Sequence, residues 1–247
     1  MVAHYLMIAL FNTILFEPLL NILVALYNII PDIGVGIIVL TLLLRVILWP
    51  LNAKTYRSQK AMQALQPQVK KIQTELKNNK EELSKALMAL YKKEKINPLS
   101  SCLPVLIQLP FLIALYQVFQ ASLDSTKVLP PLYSFIANPE HLSPLFLSFI
   151  DLAKPNIPLA LLAGASQFFQ AKMMPVSPPP SGVAGSKDEA MTASMNRNML
   201  YMMPVFTVVL GATLPSGLTL YWLITTIAAI AQQWFALRRK PPQSSAS

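Results

Sequence analysis

The stretch LTLLLRVILWPLN, Leu40 to Asn52, sets one arginine into an otherwise apolar run, and the way that arginine is accommodated decides what kind of molecule this is. The run extends from Ile33 to Ala53 with no other charge, close to the ~20 residues a helix needs to cross a bilayer. Arg45 precedes Lys54 by nine residues. At ~1.5 Å of rise per residue it would sit ~13 Å inside that end of the helix. An arginine at such depth costs ~2.5–3.5 kcal/mol on insertion scales and must face protein, water or an anion. No Asp or Glu occurs in any predicted span, so a water-filled cavity is the economical accommodation. The competing reading is a side chain that snorkels to the headgroups.

Working outward, the 247 residues are 54% hydrophobic and 13% charged, with a mean hydropathy of +0.48. A soluble fold could not bury that much apolar surface, so a bilayer must supply part of the solvent. Further charge-free runs occupy Leu103–Leu123, Pro155–Ala171 and Asn198–Leu237, the last broken by Pro215, Ser216 and Gly217. That break reads as a turn between two helices. The expectation is an all-α polytopic membrane protein with five transmembrane helices: 33–56, 103–123, 156–173, and a fourth and fifth within 199–237, the fourth short for a bilayer.

The formal charge of +9 is explained by where the cations fall. The segment after the first span carries Lys54, Arg57, Lys60, Lys70, Lys71, Lys77, Lys80, Lys85, Lys92, Lys93 and Lys95, and residues 1–32 carry no Lys or Arg. Under the positive-inside rule residues 57–102 are cytoplasmic, 124–155 form an external loop, and 174–198 and the tail 238–247 are cytoplasmic. The N-terminus is then outside. Residues 5–30 are apolar, but Glu17 and Pro18 at their centre argue for a helix lying on the outer face, assigned to 1–32, rather than a span.

Within 57–102, Val69, Ile72 and Leu76 share one helical face and Leu83, Leu87 and Leu90 another, with a break at Lys77–Lys80. This reads as a cytoplasmic helical hairpin, with Pro67 expected to kink its first arm; a solvated charged loop is the alternative. Residues 174–198 read as a flexible connector, because Pro178, Pro179, Pro180, Ser181, Gly182 and Gly185 cluster there. The flanking methionines, Met173, Met174, Met191, Met195, Met199, Met202 and Met203, would either adapt to apolar partners or simply pack.

Polar residues on other predicted spans could share a cavity with Arg45: Gln108, Ser166, Gln167, Gln170, Thr219, Trp222 and Thr226. Each alone could equally bond a neighbouring helix. Catalysis finds little support, since His4 and His141 lack metal-ligand spacing and no Ser or Cys nucleophile has an evident base. Cys102 reads as a small buried hydrophobe. No phosphate-binding glycine motif is present, so neither an enzyme nor a cofactor is expected.

Four stretches, LTLLLRVILWPLN, LQPQVKKIQ (Leu65–Gln73), LYKKEKINPLSSCLPVLIQLP (Leu90–Pro110) and LPSGLTLYW (Leu214–Trp222), resemble in order and spacing the YidC family of membrane protein insertases, over roughly residues 10 to 237. The resemblance implies a five-helix core around a hydrophilic groove open to cytoplasm and lipid, with Arg45 in it. It carries groove positions onto Gln108, Gln167 or Gln170, and Tyr221 or Trp222, and the family hairpin onto Arg57 to Lys95. Arg57, Lys60, Lys70, Lys71, Lys92 and Lys93 are the candidate docking cations. Implied partners are nascent membrane proteins and the bilayer, with the ribosome, the signal recognition particle pathway and the Sec translocon as further candidates, in a bacterial cell membrane. No nucleic-acid reading is expected. Where relatives often show an asparagine after the Tyr-Trp pair, Thr225 and Thr226 stand here. The tail is short beside the basic ribosome-binding tails of some members, and no large external domain is expected. A small-anion transporter using Arg45 is the rival reading; it would call for repeats and a midplane carboxylate, which the sequence lacks.

Overall fold

A computed structural model describes residues 2–77, 79–94, 103–123, 129–139, 141–173 and 201–238. Cys102, the loop 174–198 and nearly all of the tail lie outside the described residues. The chain is mostly helical. In order come α1 (Val2–Phe11), a π turn (Asn12–Phe16), α2 (Glu17–Ile29), α3 (Ile33–Ile47), α4 (Trp49–Glu75), α5 (Lys80–Lys93), α6 (Leu103–Ser122), α7 (Ile157–Lys172), α8 (Tyr201–Gly211) and α9 (Ser216–Arg238).

The principal core joins α2, α3, α6 and α9: Leu19, Leu20, Leu23 and Val24 pack with Ile33, Ile37 and Leu40, with Leu115, Val118 and Phe119, and with Leu218 and Leu220. The opposite faces are apolar and exposed, including Leu42, Val46 and Ile47 on α3, Ile113 on α6, Leu161 and Leu162 on α7 and Val205, Phe206 and Val209 on α8. Water does not tolerate so much contiguous apolar surface; lipid does.

One boundary differs from the sequence reading. The expected span 33–56 ends as a helix at Ile47, and α4 leaves it at 64°. Pro50 lies in the first turn of α4, where its missing N–H costs nothing. Inside one unbroken helix the same ring would press on the carbonyl four residues earlier. The chain therefore turns at Leu48, and 49–56 belong to the first arm of the hairpin. That arm continues helically through Pro67. After a break at Leu76–Asn79, Asn79 caps α5 by accepting from Glu82 N at 3.2 Å. Glu81 and Glu82 open the helix and Lys92 and Lys93 close it, matching its dipole. Leu65, Val69 and Leu90, with Ile72, Leu87 and Tyr91 beside them, form a small separate core between the arms. Burial there raises the Tyr91 phenol above its ordinary pKa.

The N-terminal helices run on through the π turn, and Tyr5–Ile29 is 25 residues long with a mean hydropathy of 1.8, sufficient in length and composition to cross a bilayer. Along α2 the loop before α7 lies close: Asn21 Oδ1 accepts from Tyr133 N at 2.8 Å, Asn28 Nδ2 donates to the Ala137 carbonyl at 2.8 Å, and Tyr27 Oη accepts from Ser143 N at 3.1 Å. This loop also contains a feature that helical periodicity did not foresee, an antiparallel ribbon of β1 (Leu145–Phe146) and β2 (Ile150–Asp151). Beyond the ribbon, the carbonyls of Leu152 and Lys154 accept from Gly217 N and Ser216 N, both at 3.0 Å, and so seat the first turn of α9. Asp151 raises the pKa of Lys154 through a hydrogen bond and its charge.

Small residues allow the α7–α8–α9 contacts. A Cβ on Gly164 would collide with Val208 and reach 3.0 Å from the Pro204 carbonyl, and one on Gly211 would lie 3.0 Å from Ala160 Cβ and 3.1 Å from Thr219. Close backbone approach is how helices gain packing energy where lipid offers no hydrophobic drive. Gly164→Leu is expected to destabilise the fold by about 1–3 kcal/mol through overpacking, read as lower thermal stability in detergent. Leu162→Ala, on the exposed face of α7, should change it little.

Candidate functional site

Arg45 lies in the last turn of α3 and is half-buried. Its side chain borders a small recess of about 230 Å³, counting the space that opens to solvent, lined also by Thr41, Leu44 and Leu48 of α3–α4, Gln108 and Phe111 of α6, and Tyr221 and Thr225 of α9. Among the described residues no carboxylate lines it. The guanidinium instead lies close enough to interact electrostatically with the phenols of Tyr56 on α4 and Tyr221 on α9. Gln108 Nε2 donates to Tyr221 Oη and so ties α6 to α9 across the recess. Gln232, buried on α9, donates to the Arg45 backbone carbonyl at 3.4 Å. Thr41 turns its hydroxyl back onto the Ile37 carbonyl at 2.6 Å, satisfying itself within the helix.

The site is thus cationic, with neutral oxygen and amide groups around it. Phenols and amides orient a guanidinium without cancelling its charge, so the recess keeps a positive field toward whatever enters. Burial strengthens that field relative to bulk water.

Of the nine groove candidates, the recess brings together Arg45, Gln108 and Tyr221. The others are employed elsewhere. Gln167 accepts from the Thr207 hydroxyl, joining α7 to α8; Thr219 is fully buried and donates to the Gly211 carbonyl at 3.4 Å. Trp222 packs at the edge of the main core, and half-buried Gln170 does not line the recess. Ser166 and Thr226 bond carbonyls of their own helices. The docking candidates lie on the hairpin arms: Arg57, Lys60, Lys70 and Lys71 on α4, Lys92 and Lys93 on α5. Among them Lys71 is within 3.9 Å of Glu75.

Sequence reasoning missed Thr41, Tyr56 and Gln232. For Tyr56 no sequence signal exists, because only the 64° bend at Leu48 sets α4 against the end of α3. Gln232 and Gln233 were visible as two polar residues in an apolar run, and both are buried. Among the described residues no group of three His, Cys, Asp or Glu could hold a metal ion.

A family model described as "60Kd inner membrane protein" matches residues 25–243, and the chain belongs to that family. Its relatives include proteins named "Membrane protein insertase YidC". The one from Lawsonia intracellularis is 34% identical over 92% of this chain and 39% of its own length. The one from Francisella tularensis subsp. novicida is 35% identical over 95% of this chain and 37% of its own. The chain therefore spans about two-fifths of the length of the curated relatives it matches. The recess residues Arg45, Gln108 and Tyr221 all fall inside the matched region.

A double-mutant cycle of Gln108→Ala and Tyr221→Phe tests the bond across the recess. Its coupling is expected near 0.6 kcal/mol, the usual size for hydrogen bonds between membrane helices, read from unfolding in detergent. A coupling of zero would mean that α6 and α9 are not joined there.

Proposed function

We propose that this member of the 60Kd inner membrane protein family inserts hydrophobic segments of other proteins into the bilayer, and that the Arg45 recess is where the polar flank of such a segment is hydrated on its way across. The observation that carries this reading is a half-buried arginine lining a recess that contains no carboxylate among the described residues. A cation already matched by an acidic partner would have nothing left to attract; this one does.

The barrier to crossing is dehydration. Each backbone polar group taken into hydrocarbon without a partner costs several kcal/mol, so a wet recess partway along the path shortens the dry stretch. Arg45 would attract acidic residues of the flank, while the apolar segment moves past exposed faces such as those of α6 and α8 into lipid. The driving force is apolar burial in lipid, which requires no nucleotide. A short α8 would thin the bilayer locally and shorten the path further.

In this reading α3, α6, α7, α8 and α9 are the five spans, α4 and α5 stand in the cytoplasm, and the N-terminal helices lie on the outer face. The bonds from Asn21, Tyr27 and Asn28 to the loop before α7 support placing α2 and that loop on one side. The hairpin, with its cations at Arg57, Lys60, Lys70, Lys71, Lys92 and Lys93, would first meet the client or the machinery that delivers it. Ribosome, signal recognition particle or Sec channel would dock there.

The test is reconstitution in liposomes with a small single-span client whose flank is acidic, scored by protease-protected insertion. Losing a charge-assisted hydrogen bond costs about 1.5–3 kcal/mol, so Arg45→Ala should slow insertion roughly tenfold or more. Arg45→Lys should retain part of it, because the charge remains while the guanidinium fork is lost. Anion uptake by the proteoliposomes without insertion would overturn the proposal in favour of transport.

A further inference from the structure

The β1–β2 ribbon carries a turn that is chemically out of place in water. Leu147 and Ser148, in the three-residue loop between the paired Phe146 and Ile150, have φ of 52° and 68°, the left-handed region normally given to Gly or Asn. A leucine held there is strained, and its side chain is 53% exposed. Phe149, next along, is 73% exposed, and Leu145 is exposed as well. A turn of this conformation in water would favour Gly or Asn over leucine.

The position of the tip explains what they face. Asp32 caps α3: its Oδ1 accepts from Gly34 N at 2.9 Å and Val35 N at 3.1 Å. Its other oxygen accepts from Leu147 N at 2.8 Å. One carboxylate therefore fixes the tip at the level of the first turn of α3. The Phe146 ring fills the place where any Cβ on Gly34 would go, which locks the ribbon onto the same turn. At that level the apolar exterior continues through Ile29 and Ile30, both exposed at the end of α2.

We propose that the ribbon tip, Leu147 and Phe149 above all, is a lipid-contacting wedge seated at the headgroup–acyl boundary of the leaflet around the N-terminal end of α3. This rests on the reading of α3 as a membrane span. The occupant is lipid rather than a protein because the tip is held at membrane depth and is continuous with the lipid-facing exterior. Aromatic and aliphatic side chains at that boundary are favourably placed. The wedge would anchor the loop that seats α9, so that the first turns of α3 and α9 are both referenced to the bilayer surface.

The experiment uses the full chain with Cys102→Ser, spin-labelled one site at a time at Leu147→Cys and Phe149→Cys, in vesicles of phosphatidylethanolamine and phosphatidylglycerol. Accessibility to oxygen, which concentrates in lipid, is compared with accessibility to a water-soluble nickel chelate. Val46→Cys on α3 is the lipid reference and Met88→Cys on α5 the water reference. The expected result is an oxygen-to-chelate ratio at 147 and 149 several-fold above that at 88 and near that at 46. A ratio equal to that at 88, with 46 still reading lipid, overturns the wedge and leaves the span intact. Protection from both agents at 147 and 149 overturns it in favour of a protein cover. If 46 also reads as water, the span reading itself fails.

Discussion

A guanidinium inside an apolar helix, with no carboxylate opposite it among the described residues, is the constraint to which the neighbouring elements answer. Arg45 needs hydrogen-bond acceptors, and the fold supplies neutral ones. The bend at Leu48 sets α4 so that the Tyr56 phenol comes within electrostatic range of the guanidinium, and α9 brings Tyr221 to the recess. Gln108 then fixes Tyr221 from α6, and Gln232 holds the Arg45 carbonyl. Neutral partners differ from a salt bridge in one respect that matters. They hold the cation in place while leaving its charge uncompensated, so the site remains attractive to an anionic group.

The helical content was largely legible in the sequence, because charge-free apolar length is a one-dimensional property that needs no knowledge of neighbours. The bend was written there too, in Pro50, yet residues 49–53 stay uncharged and so read as more of the same helix. Composition reports depth; only backbone chemistry reports direction. The β1–β2 ribbon was invisible for the opposite reason, being two residues per strand and held by contacts with Asp32 and Gly34 far away in sequence.

The site was legible in the part carried by conspicuous residues. An arginine or a glutamine in an apolar run must be accounted for, and Arg45 and Gln108 do meet. Gln167 and Thr219 are equally conspicuous, but they bond Thr207 and the Gly211 carbonyl between helices. A polar side chain in a membrane helix can be glue or lining, and the choice depends on its angle about the helix axis and on which helix lies opposite. Tyr56 and Gln232 entered the site only through the packing of α4 and α9.

Two accommodations of Arg45, a hydrated cavity and a snorkelling side chain, look exclusive in the sequence but share one geometry in the fold. A snorkelling arginine would reach toward the C-terminal end of α3, and Tyr56, which lies within electrostatic range of it, belongs to the helix that follows that end. The reach is intercepted by a phenol on the folded-back arm. Because Asp32 fixes the other end of α3 and Pro50 fixes the turn, the depth of the guanidinium is set by the backbone at both ends. What remains free is the small motion of a long side chain within a recess. In the insertion reading, a cation with neutral neighbours and local freedom suits a passing polar flank better than one held in a salt bridge, since it can meet differing sequences without first leaving an acidic partner.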